Sequence, residues 1–251
     1  MSTPIDISEE AGVRYLHFGS EWVQGAMRIA RPWNLELEYT REMMASLLLR
    51  QDANWPRKVL LIGLGAASLT KFLYRHYPLA HLTVVEIEPA VVAAARQFFK
   101  LPEDPKRVNI VIGDGVEYVL NSTRKFDLVL VDGYDENASS GALDTLPFYQ
   151  GCRGRLNGGG IMSVNLLTSS RRFEGSITRI AKAFDDRVLA FPSCESGNAI
   201  ALAADGEAVT IPFHDLRENA LELHKETGLN LMPAIARLEQ SQSCPGGILK
   251  L

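Results

Sequence analysis

The residues in this sequence that are best suited to binding and chemistry follow the ends of predicted β-strands. Gly63 and Gly65 follow "KVLLI", Glu86 ends "LTVVE", Asp114 follows "VNIVIG" and Asp132 follows "FDLVLV". The carboxyl ends of parallel strands lie together at one edge of an open α/β sheet, and ligands bind there. We therefore expect a glycine loop and three carboxylates to surround one ligand site.

The glycine loop favours a ligand without a pyrophosphate. Gly63 and Gly65 allow a tight turn and leave no Cβ in the way of a ligand. Ser68 stands at the third glycine of a dinucleotide-binding fingerprint, and residues 63–68 contain no lysine or arginine. Such a loop suits an uncharged ribose-thioether or a sulfonium better than it suits two phosphates.

Two carboxylates extend this interpretation to an adenosyl-sulfur ligand. Glu86 lies about 21 residues after Gly65, where an acid accepts both ribose hydroxyls of NAD or of an adenosyl sulfonium. Asp114, in "IGDG", can accept from an adenine amino group, although an aspartate before a helix is also a favoured N-cap. With the loop, these two acids predict an adenosyl-sulfur cofactor.

Two further acids at the same edge indicate an amine substrate. Asp132 and Asp135 stand three residues apart in "VDGYD", directly after a buried strand. Such a pair can hold a cationic amine and take its proton. For Asp135, a solvated turn residue is the alternative.

The elements that must position these residues alternate between strands and helices from Arg57 onward. Apolar strands such as "KVLLIGLG" and "FDLVLVDG" are separated by helices such as "SLTKFLYRHY", which predicts an α/β fold with a mostly parallel sheet covered on both faces. We expect "NGGGIMSVNL" to be a turn and then a strand. The short connection between "RVLAFPS" and "GNAIALAA" predicts an antiparallel final pair.

The two ends of the chain differ from this pattern. Residues 1–56 are predicted to form a lead-in of a small β-hairpin, from "VRYLHFGS" and "WVQGAMRIA", and a helix in which Tyr39, Met43 and Leu47 share one stripe. Residues 57–251 are predicted to be one Rossmann-like domain. Its tail, from about Thr210, contains two helices that pack on the sheet or over the pocket mouth.

Composition limits the functional class. The chain has 251 residues, 46% of them hydrophobic, and a net charge of −4, which is ordinary for a globular protein and gives no support to nucleic-acid binding. Cys152, Cys194 and Cys244 form neither a disulfide framework nor a zinc motif, and the histidines form no metal-type cluster. Without a signal peptide or a spanning apolar run, we expect a cytoplasmic protein with no metal and no membrane partner. Arg171 and Arg172 are interpreted as solvated loop residues.

Read together, "GLG", "VVEIEP", "GDG" and "FDLVLVDGYD" resemble the spermidine synthase (polyamine aminopropyltransferase) family. The resemblance covers residues 13 to 204 and includes Gln24 in "WVQGAMRI" and Tyr39 in "LEYTREMM". It implies a Rossmann-like class I methyltransferase fold with a seven-stranded, mostly parallel sheet. It also implies a homodimer that transfers an aminopropyl group from decarboxylated S-adenosylmethionine to a diamine such as putrescine, with loss of methylthioadenosine.

The resemblance also implies a role for each candidate residue. Glu86 binds the ribose and Asp114 the adenine end of the donor. Asp132 orients and deprotonates the attacking amine, and Asp135 holds part of the diamine or the aminopropyl amine. Two lead-in residues, Gln24 and Tyr39, line the pocket that the donor and the diamine share.

Two departures from the family pattern leave other functions open. The family's loop reads Gly-Gly-Gly-Asp-Gly-Gly, but Ala66 occupies the aspartate position here, and Phe191 replaces the tyrosine of a later Tyr-Pro-Ser-Gly. A methyltransferase that uses intact S-adenosylmethionine is one alternative, since a small uncharged loop does not repel the donor's carboxylate. A non-catalytic relative that retains the adenosyl pocket is the other. An NAD-dependent dehydrogenase is a weaker candidate because no Tyr-x-x-x-Lys pair is present.

Overall fold

The computed structural model of the protein describes residues 4–20, 22–50, 52, 54–135, 138–168, 173–194, 197–241 and 243–251. Arg171 and Arg172, which the sequence analysis interprets as solvated loop residues, lie outside these ranges. Across the described residues, the chain forms a three-stranded sheet, a central seven-stranded sheet and a two-stranded pair.

The lead-in forms an antiparallel sheet and then a short helix. Its strands are β1 (Asp6–Glu10), β2 (Val13–His17) and β3 (Val23–Arg28). The predicted hairpin, β2 and β3, is confirmed. β1 is missing from the prediction because "DISEE" is polar and four of its five residues are exposed. The predicted helix is α1 (Glu38–Met43), which continues as a 3-10 helix over Met44–Leu49.

The central sheet confirms the predicted α/β fold. Its strands are β4 (Lys58–Ile62), β5 (His81–Glu86), β6 (Val108–Ile112), β7 (Phe126–Val131), β8 (Leu156–Leu167), β9 (Val188–Ala190) and β10 (Asn198–Ala204). The order is β6-β5-β4-β7-β8-β10-β9, in which β4 to β8 run parallel. The predicted antiparallel pairing of β9 and β10 is confirmed, but β10 lies between β8 and β9.

One predicted turn is part of a strand in the structure. The glycines of "NGGG" belong to β8, and the pairing of β8 with β7 shifts register between Phe126 and Leu128. Gly159 has a φ of +79°, which bends the strand there. Glycines therefore mark an irregularity within β8.

Helices cover both faces of the sheet. They are α2 (Ser68–His76), α3 (Pro89–Phe98), α4 (Gly115–Asn121), α5 (Leu146–Gly154) and α6 (Phe173–Ala183). In β4, Val59 and Leu61 pack with α2 and α3, whereas Leu60 and Ile62 pack with α4, α5 and α6. A strand that is buried on both faces has few polar positions, which is why the sequence reads as apolar runs.

The tail packs on the same face of the sheet as α2 and α3. It contains α7 (Phe213–Thr227) and α8 (Met232–Gln240), as predicted, and their apolar residues join the core on that face. The three-residue strands β11 (Thr210–Pro212) and β12 (Ile248–Lys250) pair antiparallel and are too short to show a sequence period. Of the two predicted positions for the tail, the structure supports the one on the sheet.

Three other features bear on the predicted class of protein. Cys152, Cys194 and Cys244 are buried, and none of the three takes part in a disulfide bond in the described part of the chain. No helix in the described part of the chain is both long enough and apolar enough to cross a membrane. One exposed group on α7, which the sequence did not predict, brings three potential metal ligands within 4.8 Å of one another: His214, Asp215 and Glu218.

Lys71 on α2 is a buried amine. Its exposed fraction is 1%, and its Nζ has no hydrogen-bond partner among the described residues. Burial and, to a smaller extent, the nearby Lys100 together lower the pKa of Lys71 to about 7. An unfolded lysine keeps its proton up to about pH 10.4, so the unfolded chain binds more protons between about pH 7 and 10.4. The free energy of unfolding therefore rises with pH across this window. Below about pH 7, folded Lys71 is charged and its burial destabilises the folded state most.

We expect Lys71→Met to raise the free energy of unfolding by about 1–3 kcal/mol at pH 6.5, because the variant buries no charge. The gain should shrink as the pH rises toward 9, where wild-type Lys71 is neutral. Urea unfolding at both pH values measures this difference. Lys225→Met is the control, since Lys225 is largely exposed. A loss of stability, or a gain that is the same at both pH values, contradicts the prediction.

Candidate active site

A cavity of about 490 Å³ lies at the carboxyl ends of β4 to β7 and extends beneath the lead-in. Every residue that the sequence assigned to the site lines it: Gln24, Tyr39, Gly63, Gly65, Glu86, Asp114, Asp132 and Asp135. The strand-end rule therefore places the residues correctly, and β3 and α1 bring the two lead-in residues to the same cavity.

The glycine loop is held by close backbone contacts. Gly63 has a φ of +93°, and a Cβ on it would lie 2.1 Å from the carbonyl oxygen of Asp132. The Gly63 N–H donates to the Val85 carbonyl at 2.9 Å, and the Asp132 N–H donates to the Ile62 carbonyl at 2.9 Å. Glycine is therefore required at position 63 by the approach of β7 as well as by any ligand. Gly65, with a φ of +50°, completes the turn.

Glu86 fixes the loop from the end of β5. Its Oε2 accepts from the Leu64 N–H and its Oε1 from the Glu88 N–H, both at 2.9 Å. Burial raises the pKa of Glu86, and these backbone hydrogen bonds lower it. A carboxylate has about four acceptor positions, so two bonds leave capacity for ribose hydroxyls.

Asp114 caps the helix that follows it. Its Oδ1 accepts from the N–H groups of Val116 at 2.6 Å and Glu117 at 3.1 Å. The sequence offered an N-cap and an adenine acceptor as alternatives. The structure shows the N-cap, in a residue that also lines the cavity.

Asp132, directly after β7, is a partly buried acid of the cavity. The Tyr39 hydroxyl donates to its Oδ2 at 3.1 Å, and Asn165 Nδ2 donates to its Oδ1 at 2.9 Å. Burial raises the pKa of Asp132, and the two hydrogen bonds lower it. Burial and the neighbouring Asp132 raise the pKa of Tyr39, so its hydroxyl stays protonated and donates. This arrangement fixes the direction of the carboxylate.

Two asparagines behind Asp132 are absent from the predicted site. Asn198 Nδ2 donates to Asn165 Oδ1 at 2.8 Å, which leaves the Asn165 amide nitrogen to face Asp132. The Tyr134 hydroxyl donates to the Asn165 carbonyl at 2.8 Å. One signal was available: Asn165 is a polar residue near the carboxyl end of the apolar run "GIMSVNLL".

Asp135 is both a turn residue and a cavity residue. Its Oδ1 accepts from the Ser139 N–H at 2.9 Å, as the solvated-turn interpretation requires. Its backbone carbonyl accepts from Gln24 Nε2 at 3.5 Å, which links the lead-in to this loop. Both residues line the cavity.

The charged lining of the cavity is entirely acidic. None of its described lining residues is a lysine, arginine or histidine. Five of them are carboxylates: Glu38, Glu86, Asp114, Asp132 and Asp135. Of these five, only Glu38 is absent from the prediction. Walls of one sign focus the field in a cleft, so this cavity favours cationic ligands and disfavours anionic ones.

The two departures from the family pattern are both buried in apolar surroundings. Ala66 is 2% exposed and packs in a cluster with Leu16, Met27 and Phe99. Phe191 belongs to the main core and is not among the described residues that line the cavity. Both positions contribute apolar packing in this protein.

Comparisons with known proteins identify related chains. A family model, the spermine/spermidine synthase domain, matches residues 37–178. The polyamine aminopropyltransferase of Chromobacterium violaceum is 35% identical over 245 residues, which cover 98% of this chain and 93% of that protein.

Solved structures match the fold. A probable spermidine synthase from Corynebacterium glutamicum has a TM-score of 0.73 at 20% identity, over 88% of this chain and 83% of that one. Human methyltransferase-like protein 13, in complex with SAH, has a TM-score of 0.66 at 21% identity, over 76% and 93%. The fold is therefore shared with methyltransferases, whereas the sequence match is to polyamine enzymes. The chain belongs to the spermine/spermidine synthase family.

Proposed function

We propose that this protein is an aminopropyltransferase that moves the aminopropyl group of decarboxylated S-adenosylmethionine to a diamine such as putrescine. The observation that carries the proposal is the cavity itself, in which a partly buried, hydrogen-bonded Asp132 stands among four other carboxylates. Membership of the family supports the same reaction.

The charge of the cavity favours the decarboxylated donor over the intact one. The decarboxylated donor has a sulfonium and an ammonium group, and it has no anion. Intact S-adenosylmethionine adds a carboxylate, for which the described lining residues provide no cationic side chain. Like charges at close range in a shielded cleft cost binding free energy. Although Ala66 removes the family's loop acid, the remaining carboxylates give the cavity an acidic lining that favours the donor's ammonium.

The strand ends bind the adenosyl part of the donor. The backbone at Gly63 and Gly65 lies against the donor, and Glu86 accepts from the ribose hydroxyls with the acceptor positions that Leu64 and Glu88 leave. Asp114 uses Oδ1 for its N-cap, so its other oxygen accepts from the adenine amino group. Each of these roles agrees with the observed hydrogen bonds.

Asp132 prepares the acceptor amine for attack. An aliphatic amine is mostly protonated at neutral pH, with a pKa near 10.4, so it must lose a proton before it can react. Asp132 takes that proton, while Tyr39 and Asn165 hold its carboxylate in position. Gln24 lines the amine side of the pocket, and Asp135 holds the second ammonium of the diamine.

The transfer itself is a displacement at carbon. The amine lone pair forms a C–N bond to the methylene group next to sulfur, and the C–S bond breaks with its electron pair going to sulfur. Methylthioadenosine leaves neutral, and the nitrogen's proton passes to solvent through Asp132. The sulfonium is already a good leaving group, so alignment is the main contribution of the protein. No metal takes part in this scheme.

The test is a product assay in which both donors are run side by side with putrescine, cadaverine and spermidine. We expect methylthioadenosine and an aminopropylated amine from the decarboxylated donor, because the acidic cavity accepts it. Heat-inactivated protein is the control for non-enzymatic transfer. S-adenosylhomocysteine from the intact donor would instead identify a methyltransferase. Tight methylthioadenosine binding without turnover of either donor would identify a non-catalytic relative.

Three further features complete the proposal. The protein acts in the cytoplasm, as its composition favours, and as a homodimer formed partly through the lead-in, as the family resemblance implies. Residues 1–56 and 57–251 form two units that share one active site, which is supported by Gln24 and Tyr39 lining the same cavity as the strand ends. Light scattering of the purified protein tests the dimer, because a monomeric mass contradicts it.

A further inference from the structure

The tail contacts the helix that carries Tyr39. Arg237 on α8 forms two ion pairs with α1: its Nη1 lies 2.9 Å from Glu38 Oε1, and its Nη2 contacts Glu42 Oε1. Glu38 and Glu42 lie one helical turn apart, on either side of Tyr39 in the sequence. One arginine thus connects the tail to both ends of the segment that contains the tyrosine.

These contacts are of a kind that fixes position. Glu42 is 2% exposed, and a buried carboxylate that loses its charged partner is strongly disfavoured. α1 has six residues and no side-chain N-cap, so it has little stability of its own. A second tail contact supports the segment that follows, where Asn219 Nδ2 on α7 donates to the Leu48 carbonyl at 3.0 Å. The position of α1 therefore depends on the tail.

We propose that Arg237 is a positioning residue for the reaction: by pairing with Glu38 and Glu42 it holds α1 so that the Tyr39 hydroxyl meets Asp132. The path runs from α8 through the two glutamates to α1, and then through the 3.1 Å hydrogen bond to the Asp132 carboxylate. This inference rests on the proposed function, and it gives the C-terminal tail a role in the active site, although no described tail residue lines the cavity.

Misplacement of Tyr39 also changes the acidity of Asp132. The Tyr39 hydrogen bond lowers the pKa of Asp132, so its loss lets burial raise that pKa further. The other ionisable groups that face this pair are Tyr134, after β7, and Cys194, before β10. The remaining carboxylates of the cavity add negative charge: Glu38, Glu86, Asp114 and Asp135. None of these groups replaces the lost donor, so the acid limb of the kcat–pH profile moves to higher pH.

The experiment compares Arg237→Gln with Arg217→Gln in the full chain. Arg217 is an arginine of the same tail, but it pairs with the exposed Glu239. We expect Arg237→Gln to lower kcat about tenfold through misplacement of Tyr39, with the Kd for methylthioadenosine within about twofold and the acid limb shifted upward. Arg237→Lys should recover part of kcat, since lysine keeps the positive charge but lacks the planar, two-pronged donor geometry of a guanidinium. If Arg237→Gln does not fold, Arg237→Lys replaces it in the comparison.

Hydrogen exchange makes the test independent of turnover. Arg237→Gln should speed the exchange of the amides in residues 38–49 and leave those of β4 to β7 unchanged, whereas Arg217→Gln should change neither. If the wild-type protein makes no product, the proposed function is wrong. The exchange of residues 38–49 in Arg237→Gln still shows whether Arg237 holds α1 in place. Wild-type kcat in Arg237→Gln, unchanged exchange, or an equal loss of donor binding and kcat overturns the role of Arg237.

Discussion

Asp132→Asn is expected to lower kcat for aminopropyl transfer by about 10²–10⁴-fold and to leave the affinity for methylthioadenosine within about twofold. The amide removes the base and its charge but almost no volume. Asn165 can still donate to the remaining oxygen, and the Tyr39 hydroxyl can accept from the new NH₂ group. The shape of the cavity is therefore retained. Initial-rate kinetics and calorimetry of methylthioadenosine binding measure the two quantities.

The pH dependence of the wild-type enzyme should identify the same group. Burial raises the pKa of Asp132, and only the deprotonated form accepts a proton, so kcat should fall at a higher pH than an ordinary aspartate near 3.9 would give. Because the folded pKa lies above the unfolded one, stability decreases as pH rises between them, and ionised Asp132 destabilises the protein at neutral pH. Asp132→Asn should therefore not lower Tm at pH 7.

Asp135→Asn is the matched control for Asp132→Asn. It also removes one negative charge from the cavity, but from a turn and not from the enclosed position beside Tyr39. We expect its main effect in the KM for the acceptor. If Asp132→Asn turns over normally, Asp132 is not the base. If both variants lose kcat equally, total charge matters more than the position of either acid.

The sequence predicts the positions of the strand-end residues, because a single geometric rule applies to them. Parallel strands bring their carboxyl ends together, so the glycine loop, Glu86, Asp114 and Asp132 can be placed at one edge from the order of strands and helices alone. The rule says nothing about residues that reach the cavity from other elements. Glu38 lies on α1, outside the central sheet, and Asn198 begins a strand that runs antiparallel to its neighbours. Their positions depend on tertiary packing, which no local pattern encodes.

The strands and helices likewise divide into those that a sequence pattern predicts and those that it does not. Apolar runs and helical stripes predict the strands and helices of the central sheet because burial on both faces leaves a strong period in the sequence. Four of the five residues of β1 are exposed, and β11 and β12 have three residues each. These strands are therefore recognised by their hydrogen-bonded pairing in the structure and not by a hydrophobic pattern in the sequence. Ala66 and Phe191 illustrate a further limit: each departs from the family pattern, and only the structure shows that both lie in apolar packing.

Glu86 combines two functions that a single substitution should disturb together. Its two carboxylate oxygens accept from Leu64 and Glu88, so it holds the glycine loop in place even without a ligand. The ribose hydroxyls of the donor are proposed to bind the same carboxylate. In Glu86→Gln the amide has one oxygen, so one of the two backbone N–H groups faces an NH₂ group and loses its acceptor. Both the loop and the ribose contact are weakened.

Glu86→Gln is therefore expected to weaken methylthioadenosine binding about 10- to 100-fold, since hydrogen bonds to a charged group contribute about 1.5–3 kcal/mol. At saturating donor, kcat should change much less, because Asp132 and its partners are intact. Calorimetry measures the Kd. Glu88→Gln is the control, because Glu88 caps α3 and is not among the described residues that line the cavity. Wild-type affinity in Glu86→Gln would place the ribose elsewhere, and an equal loss in Glu88→Gln would assign the effect to the start of α3.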